Sequence, residues 1–201
     1  MIEVLMACVL TALGLAAAEG LARIGHLPEF AARKVLHSTA ALTVVGASLW
    51  LGQRPFVWTG LVFFGVMGAS RLVPRGSMAT LAELRDSSWG EVAFPLGTAA
   101  AAWLAPDLRG FTAAMLVLGA ADTAAGLAGR HWPKPRLLWG KTLAGSVACF
   151  AVGTVVLTMA EGWPYAVVLG AAATAAEAVS PRGSDNLTVP VILALALRAM
   201  S

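Results

Sequence analysis

Residues 119–145 read GAADTAAGLAGRHWPKPRLLWGKTLAG, an apolar helical pattern that carries one carboxylate and then enters the densest cluster of positive charge in the chain. On a helix, Asp122, Gly126 and Arg130 share one face, and Asp122 lies about 12 Å of helical rise before Arg130. An ionisable group inside a membrane span is costly, and it therefore indicates a functional site. The structural alternative is an Asp122 that caps a neighbouring helix or pairs with an arginine.

The composition around this stretch is that of an integral membrane protein. The chain has 201 residues, of which 58% are hydrophobic and 12% charged, and its mean hydropathy is +0.77. Its apolar stretches approach the length of a membrane-spanning helix and lack the alternation of barrel strands. Since no linker or internal repeat divides the chain, we predict an all-α, polytopic membrane helix bundle forming a single domain over residues 1–201.

Eight apolar segments are predicted to be helices. The first, MIEVLMACVL onward, carries the acid Glu3 and no basic region, so we expect a retained span and not a signal peptide. The last two are short for a hydrocarbon core about 30 Å thick, so seven or nine spans remain open and about seven or eight transmembrane helices are expected. The predicted segments are 2–24, 30–51, 55–73, 89–105, 110–129, 142–160, 164–179 and 187–200.

The distribution of basic residues predicts the orientation of the chain in the membrane. By the positive-inside rule, the side of the bundle with more Lys and Arg in its connections faces the cytoplasm. Only Arg54, Arg109 and Arg198 lie on the other side. That side, which in this topology also holds both termini, is therefore expected to face away from the cytoplasm. The connections predicted to be cytoplasmic contain Arg23, Arg33, Lys34, Arg71, Arg75, Arg85, Arg130, Lys134, Arg136, Lys141 and Arg182.

Polar residues in apolar surroundings all fall on this cytoplasmic side of the predicted topology. Residues that only filled packing gaps would be spread over both leaflets, so their convergence predicts one polar site that opens to the cytoplasm. The segment through Ser88 that follows the third helix is predicted to be an exposed polar connection, and no chemical role is expected for residues 72–77. The converging residues are Glu19, His37, Glu91, Asp122, Lys141, Glu177, Asp185 and Asn186.

Two of the candidate clusters lie near helix starts. Arg33, Lys34 and His37 begin the second predicted helix and could bind a phosphate group, or they could be a basic anchor with a capping histidine. Glu91 lies in the first turn of the fourth helix, where an acid is favourable on dipole grounds alone. Pro95 follows one turn later and frees a backbone carbonyl, which is tolerated in membranes beside protein or a water-filled cavity.

The basic loop after Asp122 is the third cluster. Its GKT at 140–142 does not form a Walker A motif, because that motif requires glycine at position 135, which is proline here. A basic loop that leads into a helix can bind a polyphosphate through point charges, arginine forks and helix N-terminal amides. The alternative partner is the anionic headgroups of membrane lipids. The candidate nucleotide-binding residues here are Arg130, His131, Lys134, Arg136, Lys141 and Thr142.

The fourth cluster combines Glu177, inside a span, with Asp185 and Asn186 at the start of the last predicted helix. Asp185 or Asn186 could cap that helix, which leaves Glu177 unexplained. Together the four clusters provide acids able to hold Mg²⁺ and bases able to hold phosphates, without a thiolate or multi-histidine set for zinc. This combination favours phosphoryl or nucleotidyl transfer. Since no basic surface is interleaved with aromatic residues, a nucleic-acid partner is not expected.

Five segments, in this order, resemble the membrane polyprenol kinases, the group of dolichol kinase and phytol kinase. They are RKVLH at 33–37, GEVAFPLG at 90–97, ADTAAGLAGR at 121–130, GKTLAG at 140–145 and EAVSPRGSDNLTVP at 177–190.

The resemblance implies phosphoryl transfer to an isoprenoid alcohol, with CTP or another nucleoside triphosphate as the donor, Mg²⁺ as the cofactor and a site facing the cytoplasm. It implies a catalytic role for Asp122, Lys141 and Glu177. Metal binding would fall to Asp122, Glu177 and Asp185, and Asp185 and Asn186 would join the nucleotide-binding residues. Arg33, Lys34, His37 and Glu91 would contact substrate or phosphate. The chain has Ala144 where the family commonly has Glu. If that Glu holds the metal or orients the lysine, this chain either uses another acid or has an impaired activity.

Two other functions are compatible with parts of the sequence. The DT and GKT segments also resemble the phosphatidate cytidylyltransferases, which join CMP to a phospholipid, whereas RKVLH and DNLTVP favour the kinases. A small membrane transporter would predict inverted repeats and polar residues in both leaflets, and neither pattern is found.

Overall fold

In a computed structural model, residues 1–72 and 88–201 are described, and these parts of the chain are α-helical apart from connections and one short 3₁₀ turn at Leu138–Gly140. The all-α prediction is confirmed. Two residues of the positive-inside count, Arg75 and Arg85, and most of the predicted polar connection lie outside the described residues. The helices, numbered along the chain, are α1 Ile2–Ile24, α2 Glu29–Leu51, α3 Pro55–Ser70, α4 Gly90–Leu104, α5 Leu108–His131, α6 Leu143–Glu161, α7 Tyr165–Val179 and α8 Asp185–Met200.

Within residues 1–72 and 88–201, four helices, α1, α2, α5 and α6, are long and apolar enough to cross a membrane. Two others, α3 and α7, are apolar but have only 16 and 15 residues. Large apolar side chains on the long helices face outward, such as Leu13 at 61% and Val155 at 64% exposure. Such exposure is costly in water and favourable in lipid. The chain is therefore an integral membrane protein, while the number of crossings and their direction remain predictions.

Helix α5 is the centre of the bundle and packs against α2, α4, α6 and α8. Its buried face consists largely of small residues, which allow close approach of helix backbones in lipid. Gly119 shows how close this approach is, since a Cβ added there would lie 2.6 Å from the Ala41 Cβ on α2. Gly145 at the start of α6 approaches the Ala125 carbonyl of α5 in the same way.

Two further contacts fix the helices around α5. Gly97 on α4 lies so close to the Asn186 carbonyl on α8 that a Cβ would overlap it. Helix α1 packs on both α2 and α3, which have few contacts with each other. A space is left between α2 and α3, with α1 on one side and α4 on the other. The beginnings of α2, α4, α6 and α8 and the ends of α3, α5 and α7 meet at one end of the bundle, which we call the charged end.

The caps of the last helix differ from the prediction. Neither Asp185 nor Asn186 occupies the capping position, because α8 starts at Asp185 and Ser184 precedes it without a side-chain cap. The Asp185 Oδ1 atom instead accepts a hydrogen bond of 3.1 Å from the Asn186 amide, within the first helical turn. This frees the Asp185 Oδ2 atom to face the other charged residues.

Candidate functional site

A cavity of about 650 Å³ extends from the charged end into the bundle, and every helix in the described parts of the chain contributes to its lining. Its volume is within the range of pockets that enclose small organic ligands. Residues at its outer end are charged, and those at its inner end are apolar or carry a hydroxyl group. The two ends would suit the two parts of an amphipathic molecule.

Asp122 lies where α5 passes α2, and its carboxylate is held by two side chains of α2. The Asp122 Oδ2 atom accepts a 2.6 Å hydrogen bond from the Lys34 ammonium group and lies 3.5 Å from the His37 Nε2 atom. The same His37 nitrogen is 3.1 Å from the Leu118 carbonyl oxygen, so it carries the proton and donates. The predicted alternative of a pair with arginine is wrong, because Lys34 provides the charge.

Gly126 makes this ion pair possible. Asp122, Gly126 and Arg130 line the same cavity, which confirms that they share one face of the helix. The Lys34 side chain passes directly over Gly126, where an added Cβ would overlap the Lys34 Cε atom. Lys34 also donates a 2.9 Å hydrogen bond to the Asp122 backbone carbonyl. The missing side chain at position 126 therefore gives Lys34 its path to Asp122.

Lys141 forms the second charged group of the cavity. Its ammonium nitrogen lies 2.5 Å from Glu177 Oε1 and 2.6 Å from Asp185 Oδ2. Burial alone would lower the pKa of Lys141, but the charges of Asp185 and Glu177 outweigh it and raise that pKa above its usual range. Lys141 is therefore positively charged at neutral pH. Glu177 is buried, and its Oε2 atom has no hydrogen-bond partner among the described residues.

Glu91 belongs to a third ion pair that links α3 and α4. The Arg71 guanidinium donates to Glu91 and to the Ser88 backbone carbonyl, and it also lies 4.0 Å from the centre of the Trp89 ring. About a sixth of each side chain is exposed. The ion pair with Arg71 gives Glu91 a structural role, because it holds α3 and α4 together. Glu91 also lines the cavity.

Three arginines line the cavity without an acidic partner within ion-pair distance in the described parts of the chain. They are Arg33 on α2, Arg130 at the end of α5 and Arg182 in the turn before α8. The Arg130 guanidinium lies 4.8 Å from the centre of the Phe30 ring, a cation–π contact that leaves its N–H donors available. Guanidinium groups bind phosphate oxygens in a fork geometry, so this arrangement suits a polyphosphate.

The inner part of the cavity, which we call the apolar arm, lies between α1, α2, α3 and α4. At its top, the His37 ring packs edge-on against Phe94, with the ring centres 5.3 Å apart. Its base is formed by the deepest lining residue of each helix, and all four are buried: Thr11, Val44, Thr59 and Thr98. The other lining residues of the arm are Leu15, Leu36, Ala40, Gly60, Phe63 and Pro95.

The structure brings most of the predicted site residues into one cavity. Seven of the eight polar residues predicted to converge line it, and the eighth, Glu19, pairs with Arg23 on α1 instead. The predicted residues that line the cavity are Arg33, Lys34, His37, Glu91, Asp122, Arg130, Lys141, Thr142, Glu177, Asp185 and Asn186.

Three predicted nucleotide-binding residues lie elsewhere. His131 is the last residue of α5, and Lys134 and Arg136 lie on an exposed hairpin between α5 and α6. All three are exposed, and none lines the cavity. This hairpin is closed by a bridge between Arg136 and Thr142. A ligand would have to extend out of the cavity to reach them.

Two other predicted residues have structural partners. The Thr142 hydroxyl caps α6 by accepting a 3.0 Å hydrogen bond from the Gly145 amide. The Asn186 side chain donates a 3.0 Å hydrogen bond to the Gly90 carbonyl and so joins the starts of α8 and α4. Thr142 thereby fixes the start of α6 directly after Lys141, and Asn186 positions the helices that carry Asp185 and Glu91.

The carboxylates fit a magnesium ion only together with ligand oxygens. No group of three or more His, Cys, Asp and Glu side chains in residues 1–72 and 88–201 is close enough to hold a metal by itself. Mg²⁺ is usually bound by one or two carboxylates, with phosphate and water oxygens completing the octahedron. Glu177 and Asp185 share Lys141 as a neighbour, and the unpartnered Glu177 Oε2 atom is a further donor oxygen. This donor set suits a magnesium–phosphate complex.

The sequence prediction missed Arg182 and Arg71. Arg182 lines the cavity from the PRGSDN turn, which drew attention only for its acids and its asparagine. For Arg71 the sequence indicates only a contribution to the membrane orientation. Its partner Glu91 is 20 residues away, on the next helix, so the pair is not visible as a local pattern. Proximity to the motif residues was the available signal for Arg182, while Arg71 required the tertiary structure.

Comparison with protein-family models, with curated proteins and with solved structures found no match for this chain.

Proposed function

We propose that this protein is a membrane lipid-alcohol kinase, which transfers a phosphoryl group from CTP or another nucleoside triphosphate to an isoprenoid alcohol. The observation that supports this most is the two-part cavity. Its charged end gathers residues from five separate motifs, and its other end is an apolar arm inside the bundle. A polyphosphate and a lipid tail are the two chemical groups that such an arrangement suits.

In the proposed reaction Asp122 binds the substrate alcohol at the junction of the charged end and the apolar arm. The alcohol oxygen attacks the terminal phosphorus atom of the nucleotide while its proton passes to the Asp122 carboxylate. The bond between that phosphorus and the bridging oxygen breaks, and the nucleoside diphosphate leaves with the electron pair. Lys34 and His37 fix the Asp122 carboxylate in place, which is the kind of positioning on which phosphoryl transfer depends.

The cations of the site would hold the phosphates. Arg33, Arg130 and Arg182 have no acidic partner in the described residues and could bind phosphate without breaking an ion pair. Lys141 would exchange one carboxylate contact for a phosphate oxygen. Glu177 and Asp185 would then hold Mg²⁺, which when bound supplies charge neutralisation for the phosphates.

The function is tested with purified protein in detergent, labelled CTP, ATP and UTP in turn, and a set of prenols. Transfer of label from the terminal phosphate to the lipid is the expected result, and the Asp122→Asn variant is the control for a contaminating kinase. Release of pyrophosphate, with CMP joined to phosphatidate, would instead establish a cytidylyltransferase. No transfer from any nucleotide to any alcohol or to phosphatidate would overturn the proposal.

A further inference from the structure

The apolar arm has a closed base. Cys8 on α1 donates its thiol proton to the Thr59 hydroxyl over 3.7 Å, and Thr11 follows Cys8 by about one helical turn. On α2, Thr43 abuts Gly14, and its neighbour Val44 therefore lies near the same level. On α3 and α4, Gly60 packs against Pro95 and Ala99, which puts Thr59 beside Thr98. On each of these four helices, the base residue is the lining residue of the cavity that lies farthest from the charged end.

Beyond this base the interior is filled. Val44 belongs to one continuous core with Ala7, Phe56 and Ala101, each of which is 0% exposed. No lining residue of the cavity lies deeper than Val44 on α2 or Thr59 on α3. A tail that enters from the charged end therefore meets packed side chains and cannot continue through the bundle along this path.

The depth of the arm follows from the helix rise. His37, which contacts Asp122 and Phe94, marks its top, and Val44 marks its base. The seven residues between them correspond to about 10 Å along α2, which is room for roughly two isoprene units. The cavity volume of about 650 Å³, shared between headgroup and tail, agrees with a short enclosed tail.

We infer that the apolar arm limits the length of the substrate tail and that the substrate is a short-chain prenol, of which the arm encloses about two isoprene units, the length given by the helix rise. This inference rests on the proposed function for the identity of the headgroup. Leu15 and Phe63 line the arm between its top and its base, from α1 and α3. They are the positions at which a larger side chain would shorten it.

The experiment measures binding separately from catalysis. Tritiated farnesol is bound to the purified protein in detergent and displaced by geraniol, geranylgeraniol and undecaprenol. The expected result is displacement by geraniol at concentrations similar to those of farnesol, and by undecaprenol at least about 10-fold less effectively, since overpacking costs on this scale. Undecaprenol that displaces farnesol as well as geraniol does would overturn the inference.

Variants locate the limit in the arm. Leu15→Trp should weaken farnesol binding about 10-fold and geraniol binding much less, because the indole fills the lower half of the arm. Leu13→Trp makes the same change on the exposed side of α1 and should leave the affinities for farnesol and for geraniol unchanged. If Leu15→Trp does not fold, the length limit is tested with Phe63→Trp, and Phe64→Trp is its exposed control. Equal losses for both alcohols would contradict a length limit.

The two proposals fail in different ways. Length-dependent binding without phosphorylation of any alcohol would refute the kinase and leave the length limit standing. Phosphorylation of undecaprenol and farnesol with similar kcat/KM would refute the length limit and leave the kinase standing.

Discussion

Asp122 is held by a lysine and a histidine from another helix, and this arrangement fixes a carboxylate inside a membrane protein without leaving its charge unbalanced. Lys34 and Asp122 are both less than one-fifth exposed, so each would be costly to bury alone. The position of the pair at the junction of the charged end and the apolar arm makes it the most informative place to test the mechanism.

Asp122→Asn should lower the rate of phosphoryl transfer at least about 100-fold, because a carboxylate that accepts the substrate proton is replaced by an amide. Asp107→Asn is the matched control on the same helix. Asp107 caps the other end of α5 by accepting a 2.8 Å hydrogen bond from the Gly110 amide, and asparagine caps equally well. Full turnover in an Asp122→Asn protein that purifies normally would remove Asp122 from the mechanism.

Lys141 leads to a prediction about pH. Its pKa is raised in the folded protein, so its ion pairs contribute fully below its unfolded pKa and are lost as the pH rises through the higher folded value. Lys141→Met should therefore lower the melting temperature by a similar amount from about pH 6 to about pH 9, and the difference should shrink above about pH 10.4. Lys134→Met, on the exposed hairpin, should leave the melting temperature unchanged throughout.

Thermal unfolding followed across this pH range measures both variants. A difference between wild type and Lys141→Met that disappeared already between pH 6 and 9 would mean that the ion pairs with Glu177 and Asp185 do not form in solution.

At the scale of helices, glycine determines how closely α4 and α8 approach. A Cβ at position 97 would overlap the backbone carbonyl of Asn186, which cannot rotate away as a side chain could. Gly97→Ala should therefore destabilise the protein by about 1–3 kcal/mol through overpacking. Gly65→Ala on α3 is the control, since nothing lies within 4 Å of its added Cβ, and it should be neutral or stabilising.

Denaturant unfolding in detergent compares the two alanine variants. Equal stabilities would indicate that α4 and α8 are farther apart than described.

Helix positions were predictable because membrane helices have a strong and simple signal. The predicted segment 2–24 has the same bounds as α1, and 110–129 is two residues shorter than α5 at each end. The start of α8 was predicted two residues late, because polar Asp185 and Asn186 look like a cap and yet belong to the helix. Hydropathy is a local property, and for this reason it locates helices and does not identify their neighbours.

The contents of the site were predictable, whereas its contacts were not. A rare acid such as Asp122 in an apolar segment is visible in the sequence because of its cost. Its partner could have been any of several cations, and the choice of Lys34 depends on Gly126 and on the crossing of α2 and α5. The same is true of the apolar arm, which is formed by unremarkable residues of four helices.

At the scale of the whole molecule, the predicted orientation is that the charged end faces the cytoplasm. It can be tested in a background in which Cys8 and Cys149 are replaced by serine. Lys134→Cys, at the charged end, should react with a membrane-impermeant maleimide in inside-out vesicles and not in right-side-out vesicles. Arg54→Cys, exposed at the opposite end of the bundle, should show the reverse. Labelling of both from the same side would contradict the topology.

Arg71 donates to Glu91 and to the Ser88 carbonyl, so it joins the end of α3 to the start of α4 by a contact that does not depend on the peptide chain between them. The site itself is divided at this point, with Lys34 and His37 before it and Asp122, Lys141 and Asp185 after it. Residues 1–72 and 88–201 should therefore complement each other when expressed as separate polypeptides, and they should co-purify through a tag on either one. Activity should return only when both fragments are present, and Arg71→Met should lower the activity that is recovered. Fragments that never associate would show that covalent continuity is required for assembly.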